Sequence, residues 1–332
     1  MSSVRRIAQE AGVSITTVSR ALNNDPAVNS QTRKRILTVA NNFGYVATMG
    51  RRVTTNVALT YTGPQSLSTV YDSAVLEGVI KGVEEHRYDV VILNLQRDKN
   101  ADETYTQFFM RKGVRGVILR TTEHTRHVCD AIAAEDFPCV VISERFDSPD
   151  VSFIDCDSKT DSAHAVEYLL ALGHRRIAFA MNVVPDRDHL DRFEGYKNAM
   201  AKAGLQVDED LILRHVANLA GGATVMNVLT SKKDRPTALY CADPMLAVGA
   251  INKAQELGIR VPHELSVIGF DDAQVRHSVY PVMTAVCQDA VQLGFEASLH
   301  LTRVLTGATK GVLQKTVPTF FEVNQSTAPP PA

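Results

Sequence analysis

Over the first 45 residues, apolar positions recur at helical spacing. Val4, Ile7, Ala8 and Ala11 follow an i, i+3, i+4, i+7 stripe, with Ser3 placed to cap a first helix and Gly12 to end it. Ser14 is placed to cap a second helix with a stripe of Ile15, Val18 and Leu22, leaving Thr16, Thr17, Ser19, Arg20 and Asn23 on other faces. The turn formers Asn23, Asn24, Asp25 and Pro26 follow. Asn29 then caps a third helix, with Ile36, Val39, Ala40 and Phe43 inward and Gly44 at its end. Helix, tight turn, helix and supporting helix is the layout of a helix-turn-helix. From about Asn56 the period changes. Val57 to Tyr61, Val90 to Leu95, Val117 to Leu119, Cys139 to Ile142, Ile177 to Met181, Ala238 to Cys241 and Ser266 to Phe270 read as buried parallel strands. Amphipathic stretches such as Ser73 to Glu85, Ser162 to Leu172 and Met245 to Leu257 lie between them. The alternation predicts an α/β core of doubly wound sheets, and its length suggests two sheets rather than one. The Pro-rich end, Ser326 to Ala332, is expected to be a disordered tail.

Composition adds two constraints. The chain has 332 residues, 45% of them hydrophobic, with no apolar run long enough for a membrane span and no secretory leader, so a cytoplasmic location is expected. Its five cysteines (Cys129, Cys139, Cys156, Cys241, Cys287) are odd in number and lack any C-x-x-C pair, which suggests neither a disulfide framework nor structural zinc. The charge is uneven. Residues 1 to 60 carry eight Lys/Arg against two acids, and the remainder carries 27 against 35. A basic head on an acidic body suits a polyanion-binding module, although a solvated basic surface would look the same by charge alone.

The segment Ala11-Gly12-Val13-Ser14-Ile15-Thr16-Thr17-Val18-Ser19-Arg20-Ala21-Leu22-Asn23 closely resembles the lactose/galactose repressor family of bacterial regulators. Further matches follow in family order: Thr32-Arg33 with Ile36 and Gly44-Tyr45, Leu172-Gly173-His174-Arg175-Arg176-Ile177, Arg192 with Gly195-Tyr196, and Val267-Ile268-Gly269-Phe270-Asp271-Asp272. The resemblance implies an all-α head (1–45), a hinge (46–56) and a periplasmic-binding-protein-like core (57–325). Lobe one would take 57–157 and 287–316, and lobe two 158–286 and 317–325, with three crossings between them. It implies a homodimer on double-stranded operator DNA, controlled by a small-molecule effector and needing no cofactor or metal.

In that frame the second helix lies in the major groove. Ser14, Ile15, Thr16, Thr17, Ser19, Arg20 and Asn23 are its candidate DNA contacts, Arg20 being long enough for a bidentate bond to guanine. Ile15 has two readings, base reader or core residue. The hinge departs from the family. Thr48-Met49-Gly50-Arg51-Arg52-Val53 stands where relatives carry a helix ending in a leucine wedge, so Arg51, Arg52 and Val53 are candidate contacts of a hinge whose helix is in question. For the effector, the resemblance implies Tyr71, Asp72, Glu144, Arg192, Asp243 and Asp271, at or near strand ends where doubly wound sheets bind ligands. Helix capping by strand-end carboxylates and an ion pair for Arg192 are the bland alternatives. Leu219 stands where relatives commonly place a stacking aromatic. Four carboxylates against one clear cation suggest a neutral sugar or polyol, with Arg120 as the residue that would add a second cation.

Other classes fit less well. No phosphate-loop, serine-hydrolase elbow, zincin or dinucleotide fingerprint occurs, and Glu123-His124 with His127 and Cys129 reads as an ordinary surface helix. A transport-type sugar-binding protein would need a leader and no DNA-reading head.

Overall fold

The computed structural model describes residues 3–22, 25, 27–42, 54–63 and 69–331. These fall into two compact units, Met1–Thr55 with Asn100–Arg115, and Asn56–Lys99 with Gly116–Ala332. The grouping of Asn100–Arg115 with the first unit departs from the simple succession of head and core.

The head contains α1 (Ser3–Glu10), α2 (Ile15–Leu22) and α3 (Ser30–Asn42). Ile7, Ala8, Ala11, Val18, Ala21, Val28, Ile36 and Ala40 form its core. Gly12, at φ +62°, supplies the left-handed residue that stops α1. Ser14 Oγ accepts from Thr17 N at 3.0 Å and Asn29 Oδ1 from Thr32 N at 2.8 Å, the two caps expected for α2 and α3. One stripe residue is corrected. Ile15 is 48% exposed, and Ala21 is buried with Val18 while Leu22 is only half-buried. Position 15 is the first residue of α2, ahead of the turn that packs, so its side chain projects past the core. Phe43, Gly44 and Tyr45 lie outside the described residues.

The second part of the chain runs β1 (Asn56–Tyr61), α4 (Val70–Glu84), β2 (Asp89–Asn94), α5 (Leu95–Asp98), α6 (Tyr105–Arg111), β3 (Val117–Arg120), α7 (Arg126–Ala134), β4 (Cys139–Ile142), β5 (Phe153–Cys156) and α8 (Ser158–Ala171). It continues through β6 (Ile177–Asn182), α9 (Arg187–Lys202), β7 (Ile212–His215), α10 (Leu219–Ser231), β8 (Ala238–Cys241), α11 (Pro244–Glu256), β9 (Ser266–Asp271), β10 (Thr284–Cys287), α12 (Ala290–Thr306), β11 (Gln314–Val317) and β12 (Phe320–Glu322). Two sheets result, ordered β11-β5-β4-β3-β1-β2 and β12-β10-β9-β8-β6-β7. All pairs are parallel except β10 with β12. The chain passes between the sheets after β5, after β10 and after β11. The segment 290–306 therefore returns to lobe one, where α12 packs on α4 so closely that a Cβ at Gly78 would lie 1.9 Å from Val291 O.

The seven strands read from hydrophobic runs are present. Five others were not legible as such, because they are three or four residues long and several carry polar positions, such as Asp155 in β5 and Arg214 in β7. The Pro-rich end is a second correction. Ser326 is fully buried, its Oγ donating to Val267 O and accepting from Thr284 N at 2.8 Å. His174 Nε2 and Ser266 Oγ both donate to Ala328 O at 2.9 Å, and Pro330 packs on Gly173. Composition predicts disorder, but these partners on lobe two hold the strap as far as Pro330; Ala332 lies outside the described residues. Four cysteines are buried, Cys139 is half-buried, and all are free. Among the described residues no helix is long and apolar enough to cross a membrane.

Candidate functional site

In the head, α2 turns Val18 and Ala21 inward, which leaves Ser14, Ile15, Thr16, Ser19 and Arg20 exposed together. Thr17 is half-buried, its hydroxyl 2.8 Å from Ser14 Oγ. Arg20 makes only a loose ion pair with Asp25, 3.7 Å and largely exposed, so its guanidinium is available to another acceptor at little cost. Asn23, Arg51, Arg52 and Val53 lie outside the described residues.

The second candidate site is a cavity of about 340 Å³ lined from both sheets. Its walls are the carboxyl ends of parallel strands and the helix starts that follow, at the points where each strand order reverses. After β1, Thr69 caps α4 and presents Tyr71 and Asp72. Arg120 ends β3. From the other sheet come Asp186, Asp188, His189 and Arg192 around the start of α9, Asp243 after β8 and Asp272 after β9.

Tyr71, Asp72, Arg192 and Asp243 thus meet in one cavity, whereas Glu144 and Asp271 do not line it. Glu144 is buried against Arg126 at 3.4 Å and accepts from Arg145 N at 3.0 Å. Asp271 turns into its own loop, taking Val275 N at 2.9 Å and Arg276 Nη1 at 2.7 Å. One residue further on, backbone alternation swings the neighbouring carboxylate into the cavity, and Asp272 takes the place expected for Asp271. Leu219 is exposed and off the lining; Val216 and Ala217 stand there instead.

The charge count also changes. Among the described lining residues, three cations face five aspartates. Arg120 bonds Asp72 at 3.2 Å and reaches Asp186 of the other lobe at 3.8 Å, while its guanidinium lies 4.5 Å from the Tyr71 ring centroid. Burial alone would lower its pKa, but Tyr71, Asp72 and Asp186 outweigh burial and raise it. His189 bridges Asp186 (Nδ1, 2.6 Å) and Asp243 (Nε2, 2.9 Å). Burial opposes its charge, yet the two carboxylates push its pKa up to about 10, making it a fixed imidazolium. Arg192 donates to Ala242 O at 2.7 Å, stands 3.9 Å from Asp188 and rests 3.4 Å from the Phe270 ring centroid. Asp272 is held near 7 by burial, only partly offset by Arg192 and by the Gln288 amide that donates to it at 2.5 Å.

Asp243 is the N-cap residue of α11 but makes no capping bond, since its side chain turns to His189. Its second oxygen, Oδ2, and Arg192 Nε are buried without a protein partner. Two residues of the cavity lining thus each carry a buried polar atom without a protein partner, one acceptor and one donor. Asp186, Asp188 and His189 were missed by motif reasoning. The visible signal is the dense charged run Asp186-Arg187-Asp188-His189 between the Ile177 strand and Arg192.

A model for bacterial regulatory proteins of the lacI family matches residues 3–47, and one for a periplasmic binding protein-like domain matches 166–327. The transcriptional regulator DegA of Bacillus subtilis is 28% identical, over 97% of both chains. The head is thus a lacI-family domain and the core a periplasmic binding protein-like one. The HTH-type transcriptional repressor PurR of Haemophilus influenzae is 27% identical, over 95% of this chain and 94% of that one. A solved complex of the regulator CelR with cellobiose superposes with a TM-score of 0.69 at 25% identity, over 98% of this chain and 100% of that one. With its lacI-family head the chain is a DNA-binding transcriptional regulator, and its relatives are regulators rather than enzymes.

Proposed function

We propose that the chain is a repressor whose affinity for its operator is set by a neutral, hydroxyl-rich effector bound in the interlobe cavity. The observation that carries this reading is that Asp243 and Arg192, which line a cavity of about 340 Å³, each keep a buried polar atom, Oδ2 and Nε, without a protein partner. A hydroxyl group donates to the first and accepts from the second, whereas a carboxylate or phosphate only accepts and leaves Asp243 unpaired beside a second anion. Arg120 weakens the simple charge argument, but it is already matched by Asp72 and Asp186. The cellobiose complex of CelR supports a carbohydrate. Calorimetry with matched neutral and acidic sugars, on wild type and Arg192→Ala, tests this reading. Tight binding of a uronic acid or sugar phosphate with no response to neutral sugars overturns it.

Operator reading is assigned to Ser14, Ile15, Thr16, Thr17, Ser19, Arg20 and Asn23, with Arg51, Arg52 and Val53 of the hinge. Arg20→Ala is expected to weaken operator binding by about 1–3 kcal/mol and to relax preference at one position per half-site. An unchanged affinity rules α2 out as the reading helix. A homodimer follows from two-fold operators, and sedimentation showing a monomer on operator DNA contradicts it.

A further inference from the structure

Resting on the carbohydrate reading, we propose that the effector is a glycoside carrying an apolar aglycone, such as an aryl group, rather than a free sugar. One stretch of the cavity wall is apolar, beside the charged groups at the start of α9. Asp272 and Asp243 follow β9 and β8, while the next two strands in the sheet, β6 and β7, are followed directly by Val183 with Val184 and by Val216. These valines are 52%, 44% and 58% exposed, yet all three line the cavity. They form one shelf, because Val183 N bonds His215 O at 3.2 Å, the residue before Val216, and so continues the pairing of β6 with β7. The shelf is fixed from behind. Val216 O takes Asn218 N at 2.7 Å, and a Cβ at Gly221 would lie 2.0 Å from that oxygen. Ala217, Pro244, Met245 and, from the facing lobe, Val70 extend the apolar lining.

Exposed branched side chains clustered at the mouth of a charged cleft are a surface awaiting an apolar partner. Strands lie about 4.8 Å apart, so the step from β9 to β7 spans roughly 14 Å. That is the reach of one sugar ring plus one further ring-sized group. The hydroxylated ring belongs at the Asp243, Arg192 and Asp272 end, and its substituent lies across the shelf. The missing aromatic at Leu219 fits this division, since the apolar contact is moved from the sugar face to the aglycone.

The test is calorimetry on the full-length protein with free glucose, galactose and xylose, cellobiose, and the phenyl β-glycosides of the three monosaccharides. It compares wild type with the double substitution Val184→Ser and Val216→Ser, both at exposed positions. The expected result is a phenyl glycoside binding at least tenfold tighter than its parent sugar, with the variant losing that preference but keeping its affinity for the parent. Equal affinity of parent and glycoside in wild type overturns the aglycone and leaves the carbohydrate reading standing, as does tightest binding of cellobiose. A variant that loses parent and glycoside equally shows that the shelf meets the opposite lobe instead, and also overturns it. Binding of none of these compounds overturns the carbohydrate reading and the aglycone with it.

Discussion

The two lobes share one strand order, the last-formed strand at one edge and the second at the other, yet they face the cleft with different chemistry. Lobe one contributes a single ion pair, Asp72 with Arg120, plus Tyr71, Thr69, Val70 and Thr122. Lobe two contributes Asp186, Asp188, His189, Arg192, Asp243 and Asp272. A shared strand order therefore sets where the loops go, and loop sequence sets what they carry. Under the proposed function lobe two would anchor the ligand and lobe one cover it, with Arg120 to Asp186 and Arg145 to Asp191 tying the lobes together across the cleft.

Breaking the charged wall of lobe two has the largest expected effect. His189→Leu leaves Asp186 and Asp243 buried without their shared cation, a loss on the order of 3–5 kcal/mol measured by denaturant unfolding. A variant as stable as wild type shows that the network relaxes freely. The pH profile sharpens the same point. His189 is raised to about 10 in the native state, so its stabilisation is complete below its unfolded value near 6.5 and is lost as pH rises through about 10. Asp272 is raised to about 7, so the native state keeps a proton that the unfolded chain releases from about pH 4, and stability falls as pH rises through that window. Thermal unfolding from pH 4 to 10 is expected to show both declines, with Asp272→Asn removing the lower and His189→Gln the upper. A profile unchanged by either substitution contradicts both assignments.

Ser326→Ala tests whether the strap belongs to lobe two. Losing the acceptor for the buried Thr284 N is expected to cost about 1–3 kcal/mol, and no change in unfolding midpoint counts against a structural strap. On ligand affinity, Arg192→Ala is expected to weaken binding of a neutral sugar by roughly 1.5–3 kcal/mol, the range for hydrogen bonds from charged groups. Thr122→Ala, on the lobe-one wall, is expected to change affinity by less than about 0.5 kcal/mol. Equal losses at both positions dissolve the contrast between the walls.

Much of this was legible in the chain itself. The caps Ser14 and Asn29, the stop at Gly12 and the seven hydrophobic strands follow from local rules, since each depends on neighbours within a few residues. The crossings between lobes followed only from likeness to the lactose/galactose repressor family. Four of the six expected cleft residues converge because strand ends and helix starts are local features that the sheet topology collects in one place.

What the sequence could not decide was orientation and long-range pairing. Whether Asp271 or Asp272 enters the cavity depends on a one-residue alternation at the end of β9, and Arg276 captures the first of them. Whether Asp243 caps its helix or faces the cavity depends on His189, 54 residues away in the chain. The Pro-rich end carries no apolar run that local reasoning can use. Its order comes from buried backbone groups of Val267 and Thr284 and from Ser266 and His174, all distant in sequence. Local propensity fixes which segments are helix and strand, while the partner of a buried polar atom is set by whatever the fold brings within about 3 Å, and only the tertiary structure supplies that.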